Sequence, residues 1–146
     1  MAAIEYFSGG YATPARGLVG RHVADAAFLR ALVEHGTDDC LRVLTDLPSE
    51  AAEFERLVRS LGSERPVRGF GPSDFDALRE ARTLYRTGPT LAPHAWHRAF
   101  AGHAAYSLCG ITHTVSEGRI MEAITDWVAA PLQPWDAIVC TSNAVR

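Results

Sequence analysis

The sequence predicts an α/β domain in which helices cover both faces of a mainly parallel sheet. Short apolar runs bounded by turn residues alternate with segments whose apolar residues recur at the helical period. This alternation is the pattern of βαβ units, whose strands are parallel. The 146 residues and their hydrophobic content of 47% suffice for the core of one domain. We therefore expect a three-layer, Rossmann-like domain over residues 1–146.

The N-terminal third predicts a strand, a loop, a helix and a second strand. The first strand is expected at residues 4–7, the helix from about Leu18, and the second strand at residues 41–45. Gly36 is expected to follow the helix, because glycine is favoured just after a helix C-terminus. The apolar stripe assigned to this helix contains Val19, Val23, Ala26, Val33 and the adjacent Leu29.

The loop between the first strand and the helix contains Gly9, Gly10 and Arg16. It lacks the G-x-G-x-x-G spacing of a dinucleotide fingerprint, and no G-K-[ST] follows, which argues against a P-loop. The two glycines either line a ligand cleft or provide a turn that needs positive φ. Arg16 either pairs with a phosphate through its forked guanidinium or lies in solvent.

The central third predicts short helices that alternate with short strands. Ser49 is expected to cap one helix and Gly62 to end it, with a core stripe formed by Phe54, Leu57, Val58 and Leu61. Residues 65–71 contain at best a short strand, Ser73 begins a brief helical piece, and residues 82–85 form an edge or short strand. A further helix begins near Pro93. Its predicted apolar face consists of Ala95, Trp96, Ala99 and Phe100.

Residues 104–146 predict one further βαβ unit. Its strands are expected at residues 105–112 and 136–141, and they should be parallel. Between them, Thr114 and Glu117 have the spacing of a capping box at a helix N-terminus. Pro131 is expected to end that helix. The apolar face of the helix is predicted to contain Ile120, Met121, Ile124, Trp127 and Val128.

Polar side chains follow both strands of this unit. Thr112 and His113 lie at the end of the first strand, and Ser142 lies just past the second. Because the carboxyl ends of parallel strands line the ligand crevice of an open sheet, these three residues are candidates for a binding site. His113 is also expected to precede a helix N-terminus, which favours phosphate or carboxylate. The alternatives are a histidine that packs on the sheet or caps its own turn, and a serine that only caps the next helix.

The segments GITHTVSE and WDAIVCTSNAVR, with the predicted helix between them, resemble the N-terminal domain of a GT-B glycosyltransferase. The type resembled is retaining and nucleotide-sugar-dependent, of glycosyltransferase group 1 (family 4). The resemblance implies that His113 is a catalytic residue that hydrogen bonds the transferred sugar or the donor phosphate. It also implies that Gly9, Gly10 and Arg16 lie at the substrate cleft. The implied partners are a nucleotide-sugar donor and an unknown acceptor, with no further cofactor.

The last residues suggest that more chain follows. Ser142 and Asn143 are favoured N-cap residues, yet the sequence stops after about one turn, which is too short for a stable helix. We therefore expect the N-terminal part of a longer chain that lacks its C-terminal, donor-binding domain, and that is inactive alone. Two other hypotheses stay open. One is a Rossmann-like module that binds a phosphorylated ligand, and the other is an interaction domain that docks through Trp96 and Trp135.

Composition limits the remaining classes of partner. The net charge of −3 does not favour nucleic acid, and no apolar run approaches the ~20 residues of a membrane span, so a cytoplasmic protein is expected. Arginine without lysine suggests a GC-rich bacterial source. His94 and His97 have H-x-x-H spacing without a nearby ligand, so no metal site is predicted. Arg86 and His94 are weaker binding candidates. The cysteines are expected to be free: Cys40, Cys109 and Cys140.

Overall fold

The computed structural model describes residues 2–6, 20–113 and 115–146, with the side chains of residues 23 onward in the second range. Its described strands form one six-stranded parallel sheet in the order β3-β2-β1-β4-β5-β6. This order is that of doubly wound α/β folds, in which the chain starts in the middle of the sheet and builds outward twice. The predicted three-layer, Rossmann-like α/β class is therefore confirmed.

The elements alternate along the chain as predicted. The strands are β1 (Ala3–Glu5), β2 (Leu41–Leu44), β3 (Val67–Phe70), β4 (Thr83–Tyr85), β5 (Ser107–Thr112) and β6 (Ala137–Cys140). The helices are α1 (Gly20–His35), α2 (Pro48–Ser60), α3 (Phe75–Ala81), α4 (Ala92–Ala101) and α5 (Gly118–Thr125), and a 3-10 turn spans Asp126–Val128. Among these helices, none combines the length and apolarity needed to cross a bilayer. The chain divides into two compact units, Ile4–Asp74 and Phe75–Arg146 with Met1–Ala3.

In the unit Ile4–Asp74, α2 packs its predicted stripe against the sheet. Phe54 and Val58 are fully buried, and the Phe54 ring meets the Tyr6 ring edge-on at 5.3 Å. β2 and β3 are parallel, with Val43 opposite Gly69. A Cβ on Gly69 would lie 2.5 Å from the Cβ of Ala51, so the missing side chain lets α2 approach β3 closely. Gly62 ends α2 with φ of +83°, as predicted.

The N-terminus of α2 differs from the prediction. The helix begins at Pro48 with Leu47 at the N-cap position, so Ser49 lies inside the first turn and does not cap it. The carboxylate of Glu50 replaces a capping side chain at Leu47, since it accepts the N–H groups of Asp46 at 3.2 Å and Leu47 at 3.0 Å. This is the reverse half of a capping box, and it buries Glu50.

The predicted stripe of helix α1 is only partly confirmed: Leu29 and Val33 are buried as predicted, and Val19 lies outside the described residues. Val23 is half exposed, whereas Asp25, Leu29 and Val33 are buried at successive spacings of four residues. A stripe chosen for apolar residues alone could not include Asp25. Gly36 follows the helix as expected, with its N–H donated to the Leu32 carbonyl.

In the unit containing Phe75–Arg146, β4, β5 and β6 are consecutive parallel neighbours. β4 is an inner strand of the sheet, so the interpretation of residues 82–85 as an edge strand is wrong, while the alternative of a short strand is correct. β4 is only three residues long, which is why its sequence does not distinguish the two.

The predicted apolar face of α4 is only partly correct, since Ala95 is buried but both aromatic residues are not. Trp96 and Phe100 are exposed, with 83% of Phe100 accessible, and Arg98 is completely buried. The Arg98 guanidinium donates two hydrogen bonds to the carboxylate of Asp136, which lies just before β6. A charged side chain can be buried when it is paired and hydrogen bonded in this way, so the helix turns its arginine inward and two aromatic residues outward.

Helix α5 starts later than its capping motif predicts. The N-cap residue is Glu117 and the first helical residue is Gly118, so Glu117 is not the third residue of a helix capped by Thr114. Thr114 itself lies outside the described residues. Ala123 is the buried residue of this helix, while Met121 is half exposed and Val128 is 92% exposed. The predicted face of five apolar residues is therefore only partly buried.

Candidate functional site

His113 and Ser142 lie at the same edge of the sheet, where neighbouring parallel strands end. The register pairs Thr112 of β5 with Cys140 of β6. His113 follows β5 by one residue and Ser142 follows β6 by two. Adjacent strands are about 4.8 Å apart, so the backbones that carry the imidazole and the hydroxyl leave the sheet side by side. The prediction that these two strands are parallel is confirmed.

The surroundings of His113 are those of a partly enclosed side chain. The residue is half-buried, and its Nε2 atom is shielded from solvent. The helix that follows begins at Gly118, five residues later, so His113 does not immediately precede a helix N-terminus. The support expected from a helix dipole is therefore lost, and the recognition chemistry of His113 depends on the hydrogen bonding of its ring.

Thr112 and Ser142 have different environments. Thr112 is 2% exposed, and its hydroxyl donates a long hydrogen bond of 3.5 Å to the carbonyl of Val139. This contact ties β5 to β6. Ser142 is exposed, and its carbonyl accepts the N–H of Val145 at 3.1 Å in a turn. The expected helix start at Ser142 and Asn143 is therefore a turn within the described residues.

The other three predicted substrate-binding residues lie outside the described residues. They are Gly9, Gly10 and Arg16. Their assignment to a cleft stays a prediction.

Arg86 and His94 form a contact that the sequence did not predict as a pair. Arg86 follows β4, and its Nη1 lies 2.7 Å from Nε2 of His94 on α4. A guanidinium has only donors, so Nε2 must accept this hydrogen bond and the imidazole proton of neutral His94 resides on Nδ1. The pair lies at the carboxyl end of β4, beside β5. Spacing alone could not reveal it, because the two residues come from a loop and the following helix.

The segment after β4 is held closely over β5. The indole Nε1 of Trp127 donates a hydrogen bond of 2.8 Å to the Pro89 carbonyl. A Cβ on Gly110 would lie 2.6 Å from the Gly88 carbonyl oxygen, so this strand position requires glycine for the loop to pass. These contacts fix the course of the chain between Arg86 and His94.

His97 does not join His94 at a metal site. Its ring stacks on Phe75, with centroids 4.9 Å apart and the planes inclined by 29°. Burial, followed by the proximity of His94, lowers the pKa of His97 below its ordinary value. Among the described residues, no group of three histidine, cysteine or acidic side chains is arranged to hold a metal ion.

A cavity of about 380 Å³ opens in the unit Ile4–Asp74, and sequence reasoning missed it. It lies at the carboxyl ends of β2 and β3, beside the first turn of α2. Its described lining is Thr45, Asp46, Leu47, Pro48, Ala51, Gly69, Phe70 and Gly71. The only signal in the sequence was the position of Thr45 and Asp46 directly after a buried strand.

Comparisons of the chain with protein-family models, with curated proteins and with solved structures gave no match. The geometry of the carboxyl edge and of the cavity therefore provides the basis for a functional argument.

Proposed function

We propose that this chain is the acceptor-side, Rossmann-like domain of a bacterial, cytoplasmic glycosyltransferase that uses a nucleotide-sugar donor. In this reaction the bond between the sugar and the donor diphosphate breaks, a bond from the sugar to the acceptor oxygen forms, and the nucleoside diphosphate and the proton of the acceptor hydroxyl are released. A retaining outcome is part of the proposal and rests on the sequence resemblance alone.

The observation that carries the proposal is the adjacency of His113 and Ser142 past two parallel strands. Their segments, GITHTVSE and WDAIVCTSNAVR, are also those in which the resemblance to the GT-B N-terminal domain lies. The strand order agrees with this reading, because doubly wound sheets bind ligands at the carboxyl ends of their strands. Fold alone does not distinguish a transferase from another ligand-binding module, so the site residues are what make the proposal specific.

The role assigned to His113 is to hydrogen bond the donor sugar or its phosphate, and to stabilise charge as the diphosphate departs. A partly enclosed imidazole suits this role, because a hydrogen bond made away from bulk water contributes more to binding a developing charge. Ser142 is exposed at the same edge and offers a hydroxyl that both donates and accepts. Neither residue is assigned a nucleophilic role.

The experiment that tests this function is a donor screen with the full-length gene product. Release of nucleoside diphosphate is measured from a panel of UDP-, GDP-, ADP- and dTDP-sugars, with a mixed set of acceptor glycosides and alcohols. We expect release from one donor class and its acceleration by one acceptor class. Nucleotides that carry no transferable sugar on the diphosphate are the control for phosphatase activity.

The outcome that would contradict the proposal is a protein that binds a phosphorylated ligand but releases no nucleoside diphosphate from any donor in the panel. That result would favour the phospho-ligand module instead. Association with a protein partner through Trp96 or Trp135, unaffected by any nucleotide-sugar, would favour the interaction domain.

A further inference from the structure

The cavity between β2, β3 and α2 has the position and size of a small-ligand site. Its volume of about 380 Å³ falls within the usual range for ligand pockets. The ends of two adjacent parallel strands form its floor, with Thr45 following β2 and Gly71 following β3. The backbone of the floor is fixed by the hydrogen bond from the Thr45 N–H to the Phe70 carbonyl at 3.0 Å. All lining residues belong to one compact unit.

The lining combines a carboxylate with apolar surface. Asp46 is exposed at the cavity, and no described residue donates a hydrogen bond to its side chain or forms an ion pair with it. Leu47, Pro48 and Phe70 supply carbon surface around it. A carboxylate accepts two hydrogen bonds at once, so it can receive the two hydroxyl groups of a vicinal diol, while the carbon atoms of the sugar ring contact the apolar side chains.

The charge of the cavity argues against an anionic ligand. Asp46 and the nearby Glu50 are both acidic, and no arginine or histidine is among the described lining residues. The N–H groups of Asp46 and Leu47, which would attract a phosphate to this helix end, already donate to the Glu50 carboxylate. A phosphate would therefore meet like charge, and these two N–H groups are not available to it.

Leu47 breaks two local preferences at the mouth of the cavity. It occupies the N-cap position of α2, where serine, threonine, aspartate and asparagine are strongly favoured over leucine. It is also 57% exposed, although leucine usually lies in the core. Departures from local preference concentrate at functional sites, because there the side chain serves a ligand at some expense in stability.

We propose that this cavity binds the vicinal diol of a neutral sugar ring, with Asp46 receiving the two hydroxyl groups and Leu47 covering the apolar side of the ring. The sugar comes either from a nucleoside or from a free saccharide, and both present the same chemistry. The site lies in Ile4–Asp74, and the inference stands on this unit alone, whether or not the chain transfers sugars.

The test is a titration of the ¹⁵N-labelled chain, followed by NMR, with adenosine and with methyl β-glucopyranoside. We expect one or both to shift the amide signals of Leu47, Gly69 and Gly71 in a saturable way. 2′,3′-Dideoxyadenosine has no diol and is expected to leave these signals in place. Binding of adenosine alone identifies a nucleoside site, and binding of the glucopyranoside alone identifies a saccharide site.

Two substitutions separate the proposed role from a structural one. Asp46→Asn is expected to lower the affinity for the sugar about tenfold, since a hydrogen bond to a charged group is lost. The matched control is Asp39→Asn, an exposed aspartate before β2 at the opposite end of the same strand, which should leave the affinity unchanged. Leu47→Ser is expected to raise the midpoint of thermal unfolding, because serine is a better N-cap. At the same time it is expected to lower the affinity for the sugar.

Three results would overturn the inference. Neither probe shifts these amides up to about 10 mM, which is beyond any useful affinity. Dideoxyadenosine binds as tightly as adenosine, which means that the diol is not recognised. Asp46→Asn binds like the unaltered chain while Leu47→Ser is stabilised without loss of affinity, which means that both residues only shape the helix end.

Discussion

Arg98 and Asp136 meet through two short hydrogen bonds, Nη1 to Oδ1 at 2.6 Å and Nη2 to Oδ2 at 2.7 Å. Both side chains are almost fully buried, at 0% and 4% exposed. The same guanidinium donates to the Tyr106 and Pro131 carbonyls, and the same carboxylate accepts the N–H groups of Leu108 and Gln133. The pair therefore joins α4, the start of β5 and the loop before β6, and its position before β6 sets it at the opposite end of the strand from Ser142.

Breaking this pair should be strongly destabilising. We expect Asp136→Asn to lower the free energy of unfolding by about 3–5 kcal/mol, because it leaves the buried Arg98 charge uncompensated. Urea denaturation measures the effect. The control is Asp76→Asn, which removes an exposed partner of Arg79 at 2.8 Å and should change stability little. A double substitution, Arg98→Met with Asp136→Leu, should recover part of the loss; equal loss in the single and double variants would contradict the account.

Arg65 should contribute to stability by closing the C-terminus of α1. Its guanidinium donates to the carbonyls of Leu32 at 3.2 Å, Gly36 at 2.9 Å and Asp38 at 3.2 Å, and to that of Val33. Because the last carbonyls of a helix lack intrahelical partners, Arg65→Met should cost about 2 kcal/mol. Chemical denaturation of this variant checks the value against Arg30→Met, an exposed arginine on the same helix. Equal stability of the two variants would show that the contacts contribute nothing.

Gly69 should resist substitution far more than Gly71. An added Cβ at Gly69 would lie 2.5 Å from the Ala51 Cβ, whereas at Gly71 it would meet no atom within 4 Å. Gly69→Ala is expected to push α2 away from β3 and to cost about 1–3 kcal/mol. Thermal and urea unfolding of both alanine variants provide the comparison. A Gly69→Ala protein as stable as Gly71→Ala would mean that the helix does not approach the strand this closely.

The stability of the unit that contains His97 should fall as the solution becomes acidic. Burial lowers the pKa of His97 from its ordinary value of 6.5, so the unfolded chain binds the proton more readily than the folded chain. The part of the free energy of unfolding that depends on neutral His97 is therefore fully present above about pH 6.5. It decreases as the pH falls from there through the lowered folded pKa. His97→Phe should keep the stack on Phe75 and flatten this slope, as measured by unfolding midpoints between about pH 5 and 7. His103→Phe, at an exposed histidine, is the control, and an unchanged slope in His97→Phe would refute the assignment.

Much of the fold could be predicted from the periodicity of apolar residues and from the residues that end helices and strands. The stripe of Phe54 and Val58, the stop at Gly62 and the strand ending at Thr112 all follow from local patterns that the tertiary structure preserves. The parallel pairing of β5 and β6 follows as well, because a helix between two buried strands requires a crossover.

The errors concern side chains whose partners are distant in sequence. The predicted core face of α4 does not include Arg98, because its partner, Asp136, lies 38 residues away in the chain. The cavity beside Asp46 was missed for the same reason, since Gly69 and Phe70 reach it only through the pairing of β3 with β2. The N-cap of α2 is a local exception: Glu50 accepts the Leu47 N–H from inside the helix, so a search for capping residues before the helix does not find it.

The central claim, that His113 belongs to a sugar-transfer site, is tested most directly by measuring nucleoside diphosphate release by His113→Ala and His103→Ala versions of the full-length gene product. His113 follows β5 and His103 precedes it, so the two variants remove the same side chain from opposite ends of one strand. With circular dichroism showing both variants folded, we expect His113→Ala to lower kcat about 100-fold and His103→Ala to leave it unchanged. Equal, undiminished rates in both variants would contradict the claim.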